Sequence, residues 1–517
     1  MRFKKALQSS HSICLLLMIA FLAGMLFGFK PLMSLEYMAY DLAASFRHRA
    51  AGTPVVIVAI DDKSLKRIGD WPWPRSYIAD IINTLSKNGA HTQGVSVLYR
   101  GRELNDGLIE IQNFRERIHQ NPPIGKKQTL NKIDRLAAQA HTRLNHDARL
   151  ISAVRKARNV VLPLRFDFAE ADGQIQPELS DWLRLNSIQI GEPSAGQNQL
   201  PRTTALLSGR HLEKPIVASQ VQQPYPELSR KSGALGHTNL IADQDMITRR
   251  VPLLVRFQSR DFSSLALQVA MKYLGLGIKN IRPVSSGLQL KHIHIPTIGH
   301  HQMLVDFNGR EINIEKFSAA DVLEEKIPVK SFRHKIVLLG ITAEEFTPTY
   351  KTPGQGRASA IEIVANAVEN IINRKHISRP TWSAALEILV LVYFGFFLLF
   401  VIPKIQPRIG VLIFAIFLAT WIGVAFGLFA AQGYWLRMVT PGLFAVIGLA
   451  LVERKRIFDK KRDESVELNK SLGLSLQGQG MLDMAFERFM KCPIEDTSIQ
   501  ALLYHLGLDF ERKRMFN

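Results

Sequence analysis

Uncharged, strongly apolar runs occupy both ends of this 517-residue chain and leave a long polar block between them. The runs are 12–29, 389–402 (extending back to 383 past Glu387), 409–433 and 438–452. In lipid no water replaces lost backbone partners, so runs of this kind must be helices that satisfy their own amides. Four such helices put residues 30–382 on the opposite side of a membrane from both termini. A membrane-anchored receptor is laid out in this way; a soluble enzyme is not.

Flanking charge gives the orientation. Arg2, Lys4 and Lys5 precede the first run, and Lys404 and Arg408 lie between the second and third. Arg454, Lys455, Arg456, Lys460, Lys461 and Arg462 follow the fourth. With four crossings all three clusters fall on one side, which the positive-inside rule makes cytoplasmic. The expected plan is a cytoplasmic 1–11, spans at 12–29, 383–402, 409–433 and 436–452, an outer domain at 30–382, and a cytoplasmic tail at 453–517. The fourth span is the shortest, with an uncharged core at 438–452 of 15 residues against the roughly 17–25 of a full crossing. Tyr434 and Trp435 suit an interface, and Pro441-Gly442 implies a kink that neighbouring helices must tolerate. A cleaved signal peptide is the competing reading of 12–29.

Composition narrows the partners. The formal charge is +20 and the isoelectric point about 9.9. The basic residues are spread along the chain without an aromatic-interleaved stripe, which argues against nucleic acid. The dense clusters are juxtamembrane, where anionic membrane lipids are the expected partner. The two cysteines, Cys14 and Cys492, both lie outside the polar block. That block has no disulfide and must bury an ordinary core, and its length of about 350 residues is ample for one large domain or two lobes.

The outer domain reads as α/β. Residues 54–60 form a continuous β-branched run closed by Asp61-Asp62, the pattern of a buried strand. A helix follows over 75–88, with Ile78, Ile81, Ile82 and Leu85 on one face and Gly89 at its stop. Further strands are expected at 91–98, 159–164, 252–256, 303–306 and 335–339, with helices at 265–273 and 361–372. Residues 100–150, rich in Arg, Lys, Gln and Asn, form a helical or partly mobile excursion between sheet elements.

Several short motifs occur in one order along the chain: Tyr40-Asp41, residues 58–65 (VAIDDKSL), residues 69–75 (GDWPWPR), Gly236-His237-Thr238-Asn239, Asp243-Gln244-Asp245, Arg249-Arg250-Val251-Pro252, residues 317–323 (FSAADVL), 335–340 (KIVLLG) and 360–366 (AIEIVAN). Together they resemble the second type of CHASE domain, the cyclase- and histidine-kinase-associated sensory extracellular domain of bacteria, over roughly 30–450. The resemblance implies an extracytoplasmic sensory domain in the bacterial inner membrane. Two departures bear on the ligand. Ser96 stands where the family has an aromatic-Asp pair nearby, and Met246 follows Asp245 where the family favours glycine.

The candidate ligand-binding residues are Asp61, Asp62, Trp71, Trp73, Arg75, His237, Asn239, Asp243 and Asp245. Asp61 and Asp62 sit at the carboxyl end of a strand, where open α/β sheets bind ligands; helix capping is the plainer alternative. Trp71-Pro72-Trp73-Pro74 is a stiff aromatic turn able to wall a pocket or to staple the helix beginning at Arg75. His237, Asn239, Asp243 and Asp245 form a polar cluster that equally suits a turn held by Asx bonds. His292 and His294 would share a strand face near His300-His301, but no cysteine accompanies them, and neither a metal site nor a cofactor is expected.

In the tail, Leu472-Gly473, Ala485 and Phe489 have tetratricopeptide spacing, and Leu506-Gly507 with Phe510 restarts it after 34 residues. One and a half such units do not bury a solenoid core alone, so the tail is expected to dock on a cytoplasmic protein partner through 453–517. No kinase, cyclase or phosphate-loop signature follows the last span, so no enzymatic activity is expected; the chain resembles the sensory half of a sensor serine/threonine kinase. The expected role is sensory signal transduction, responding to a small molecule or protein outside, with a homo-oligomer allowed. The alternative is an assembly component whose outer domain binds a protein.

Overall fold

A computed structural model describes residues 10–47, 54–120, 127–168, 179–189, 215–284, 286–307, 314–493 and 496–512. The basic trio Arg2, Lys4 and Lys5 and part of the 100–150 excursion (121–126) lie outside the described residues. The chain divides into two compact units. One comprises 33–386 with 423–437; the other comprises 1–32, 387–422 and 438–517.

The first unit is built on a seven-stranded sheet. Its strands are β1 (Val55–Ile60), β2 (Thr92–Val95), β3 (Val160–Asp167), β4 (Gln220–Gln222), β5 (Ala234–His237), β6 (Glu315–Ser318) and β7 (Ile336–Ile341). The order is β6-β1-β7-β2-β3, with β4 and β5 both on the far side of β3; all pairs are parallel except β3 with β4. Every residue of β1 is buried, which explains the unbroken apolar run: each face of the strand meets its own core. Val55, Ile57 and Ala59 face the Leu265–Tyr273 and Ala360–Asn373 helices. Val56, Val58 and Ile60 face the Arg75–Lys87 and His146–Ala157 helices. The result is a three-layer α/β/α arrangement.

Two motif glycines let helices close on the sheet. A Cβ on Gly236 would lie 2.7 Å from Leu265 Cα, and one on Gly340 would lie 2.8 Å from Ile361 Cβ and 2.6 Å from Ser96 Oγ. Each contact sits at the first turn of a packed helix, so a larger residue would lift that helix away.

The other expected strands and helices recur, shifted by a few residues at their ends, but the strand expected at 252–256 is broken at Leu253 into Arg250–Pro252 and Leu254–Phe257, which pair in different sheets. Among its described residues the excursion forms three helices, of which His146–Ala157 packs on the core through Leu150, Ala153 and Val154, while Asp106–Gln120 buries none of its residues. His294 lies on the exposed face of the Ile293–Pro296 strand, bonded to Ser286 Oγ at 2.9 Å, and His292 belongs to the turn before it.

Among the described residues, two helices are long and apolar enough to cross a membrane, Ser383–Lys404 and Pro407–Gln432. A third is obtained if Ser12–Phe27 and Lys30–Ser45, broken at Gly28, count as one span. The fourth expected span is the start of a 40-residue helix, Val439–Gly478. It is uncharged to Val452, and Glu453-Arg454-Lys455-Arg456 follow at once, which keeps any 18-residue stretch of it from being apolar throughout. This helix ends in a small three-helix cluster with Leu482–Met490 and Thr497–Arg512.

Trp73 is 4% exposed in the core between the sheet and the Arg75–Lys87 helix, with its indole N–H donating to Gly69 O at 2.7 Å. Trp73→Ala should therefore destabilise the first unit by about 3–5 kcal/mol. Urea titration of the full-length protein in detergent measures this, and an unchanged midpoint would contradict the burial.

Candidate functional site

The Lys30–Ser45 helix carries Asp41, and a short turn of the same unit carries Asp243 and Asp245. Between them lies Arg249, whose side chain is 1% exposed. Its five N–H donors are all used. Nε and Nη2 donate to Asp41 at 2.8 and 2.7 Å, Nη1 donates to Asp243 and Asp245 at 3.0 and 2.9 Å, and Nη2 also donates to Asp245 at 2.6 Å. Arg249 also lies over the Tyr37 ring, 4.6 Å from its centroid. Arg250 adds a 2.5 Å bond to Tyr37 Oη and a 3.3 Å ion pair with Asp243. Burial would raise the Asp245 pKa, but the bonds from Arg249 prevail and hold it below the usual carboxylate range.

A second arginine ties the same unit together. Arg47 pairs with buried Asp306 at 3.0 Å and donates to the carbonyls of Phe429 and Ala430, at the end of the Pro407–Gln432 helix. A cation is favoured at that helix end. Asp306 is held in turn by Asn370, which accepts from its N–H at 2.7 Å and donates to its carbonyl at 3.2 Å. Beside this lattice Ser378 N–H donates to Gly433 O, and Trp435 N–H donates to Ser378 O, both at 2.9 Å. Tyr40 packs edge-on against Phe429 and Trp435.

Two polar clefts open at the carboxyl ends of the parallel strands. One, of about 440 Å³, is lined by Asp61, Asp62, Lys316, Glu344, Arg357 and Glu362. The other, of about 260 Å³, is lined by Ser96, Arg165, Thr238, Asn239, Tyr350 and Ile361 among others. Glu362 bonds Ser359 and Lys316; burial would raise its pKa, and these partners lower it.

The nine candidate residues do not form one cluster. Asp61 caps the Asp62–Ile68 helix: its Oδ1 accepts from Ser64 N–H at 2.9 Å and Ser64 Oγ at 2.7 Å, and from Ser318 Oγ at 2.8 Å. Ser64 Oγ then accepts from Ala320 N–H at 3.1 Å, so two family motifs form one joint between two helices, closed by the Lys63–Asp321 ion pair. Asp62 is exposed on the same cleft. Trp71 packs on Trp73 at 5.7 Å as a staple for the next helix. Arg75 is buried, paired with Asp147 and stacked between Tyr99 and Tyr225 at 4.8 and 5.2 Å.

The grouping of His237 and Asn239 with Asp243 and Asp245 is corrected by strand geometry. His237 points into the core beside Phe166, fully buried and with no hydrogen-bond partner on either ring nitrogen. Asn239 prolongs the sheet, bonding both Phe166 N–H and Phe166 O. Only Asp243 and Asp245 reach Arg249. Asp41 and Arg249 each stood in a recognised motif, but nothing local marks residues 208 apart as partners. Among the described residues, no group of His, Cys, Asp or Glu is arranged to hold a metal ion.

The CHASE2 domain model matches residues 13–401. The chain belongs to the CHASE2 domain family. CHASE2 domains are extracellular sensory domains, which agrees with a membrane protein carrying a sensory α/β domain. No curated protein and no solved structure matches the chain.

Two outcomes follow for this CHASE2 domain. Arg249→Ala strands three carboxylates around an emptied site and should cost about 3–5 kcal/mol by urea titration, with Arg249→Lys recovering only part. His237, held by burial to a pKa of about 3 against 6.5, contributes stability that is complete above pH 6.5. That stability is lost as pH falls from 6.5 toward 3, because only the unfolded chain takes up the proton. His237→Leu should flatten this acid limb, and an unaltered pH dependence would contradict it.

Proposed function

We propose that this CHASE2 protein is a bacterial inner-membrane receptor that passes an extracytoplasmic signal through four membrane helices to a cytoplasmic partner bound at 453–517. The observation that carries this reading is the packing of 423–437 with the outer domain. Its last residues, 433–437, join the last two apolar runs and are bound by Ser378 and Tyr40, while Arg47 binds the end of the Pro407–Gln432 helix just before them. A loop bonded to the outer domain must lie on the outer domain's side of the membrane. Together with the three basic clusters, this supports four crossings and cytoplasmic termini.

The sheet-edge clefts offer the polar concavities that a small ligand needs, at the edge where open α/β sheets bind them. The Ala360–Asn373 helix runs from one to the other part of this unit: Glu362 in its first turn lines a cleft, and Asn370 in its last turn holds Asp306 and hence Arg47. Ligand binding shifts this helix, and the Arg47 and Arg249 junctions carry the shift to the Lys30–Ser45 helix. The domain performs no chemistry of its own; output belongs to the protein recruited by the tail.

A second reading, an assembly component, has one observation in its favour. The Asp106–Gln120 and Lys127–Leu144 helices expose Ile109, Phe114, Ile133 and Leu136. Loss of partner assembly, with signalling retained, on deleting 106–144 would favour it.

Topology is tested with a reporter active only outside the cytoplasm. Fused after Asn308 it should be active, and fused after Arg408 it should be silent. Activity at Arg408 would overturn the four-span plan.

A further inference from the structure

The tail contains one helix junction twice, once closed and once open. In the closed copy, Leu482–Met490 turns back on the Val439–Gly478 helix and lays Phe489 across Gly473. A Cβ on Gly473 would lie 2.4 Å from Phe489 Cε1 and 2.7 Å from Cδ1, so only glycine admits the ring. Phe489 and Ala485 are fully buried there, with Leu482 and Leu506 in the same core.

Thirty-four residues on, the Thr497–Arg512 helix repeats the arrangement with Gly507. Leu476 and its counterpart Phe510 both pack against the shared core, and Gln477 bonds Asp509 at 2.6 Å. Around Gly507, however, no described residue lies within 4 Å of the Cβ position. Tyr504, one turn before it, is 68% exposed. Glycine in an exposed helix interior weakens the helix relative to alanine, and among the described residues no contact offsets that cost.

We propose that the Gly507 face is a docking notch for an amphipathic helix of a partner protein, which seats an aromatic ring on Gly507 as Phe489 seats on Gly473. The occupied copy defines the occupant: a small residue and an aromatic four positions apart, as in Ala485 and Phe489, put a gap and a ring on one helix face. The notch is continuous with the core already formed. Leu503 and Phe510, at i−4 and i+3 from Gly507, are partly buried on that core, so an incoming helix extends it rather than starting a new one. This inference rests on recruitment by 453–517; the topology test above stands or fails without it.

The test uses full-length protein in nanodiscs and, as probe, a fluorescein-labelled peptide of residues 480–492 with Cys492→Ser. The peptide should bind saturably, and its Phe489→Ala version should not. Gly507→Ala in the protein should weaken binding by about tenfold or more, as loss of one well-packed aromatic contact does. The same substitution should leave the thermal transition of the tail unchanged or higher, because alanine favours the helix; a merely structural glycine would not separate the two readouts. Equal binding by Gly507→Ala, or no binding to the unaltered protein, overturns the proposal. So does quenching of a fluorophore at Tyr504→Cys by bilayer-borne nitroxides without peptide, which would assign this face to the membrane.

Discussion

Arg249 is a full charge taken out of water, and such a charge is tolerated only where every donor is bonded and counter-charge is close. The structure meets that demand with carboxylates from two distant parts of the chain. Asp41 comes from the Lys30–Ser45 helix, and Asp243 and Asp245 from the outer turn. The helix and the turn therefore cannot separate without leaving charge buried and unpaired.

The Arg47 junction follows the same logic by a different route. Its guanidinium satisfies Asp306 and two carbonyls at the end of the Pro407–Gln432 helix. Asn370 binds both the N–H and the carbonyl of Asp306, so the Ala360–Asn373 helix is registered against the arginine. Close packing of that helix at Gly340 fixes its other end on the sheet. A rigid element held at both ends moves as a body, which makes it suited to relay a change at the sheet edge.

Much of the fold was legible because it rests on local pattern. The β-branched run 55–60 has the pattern of a strand buried on both faces, and the spacing of Ile78, Ile81, Ile82 and Leu85 that of one face of a helix, and both form as read. The site was less legible. Asp61 looked like a ligand carboxylate or a helix cap, and its partner Ser318, 257 residues away, makes it a cap shared with a second helix. His237 looked polar and available, but the strand phase that buries Leu235 buries His237 with it.

By itself the sequence determined the apolar runs, the basic clusters, the α/β order and the motifs that mark the family, since each depends on residues close together along the chain. The tertiary structure alone decided which charges meet. Arg249 with Asp41, Arg47 with Asp306, and the packing of 423–437 on the outer domain all join segments hundreds of residues apart. No local periodicity encodes such pairs, because the sheet order and the helix crossings that bring them together exist only once the chain has folded.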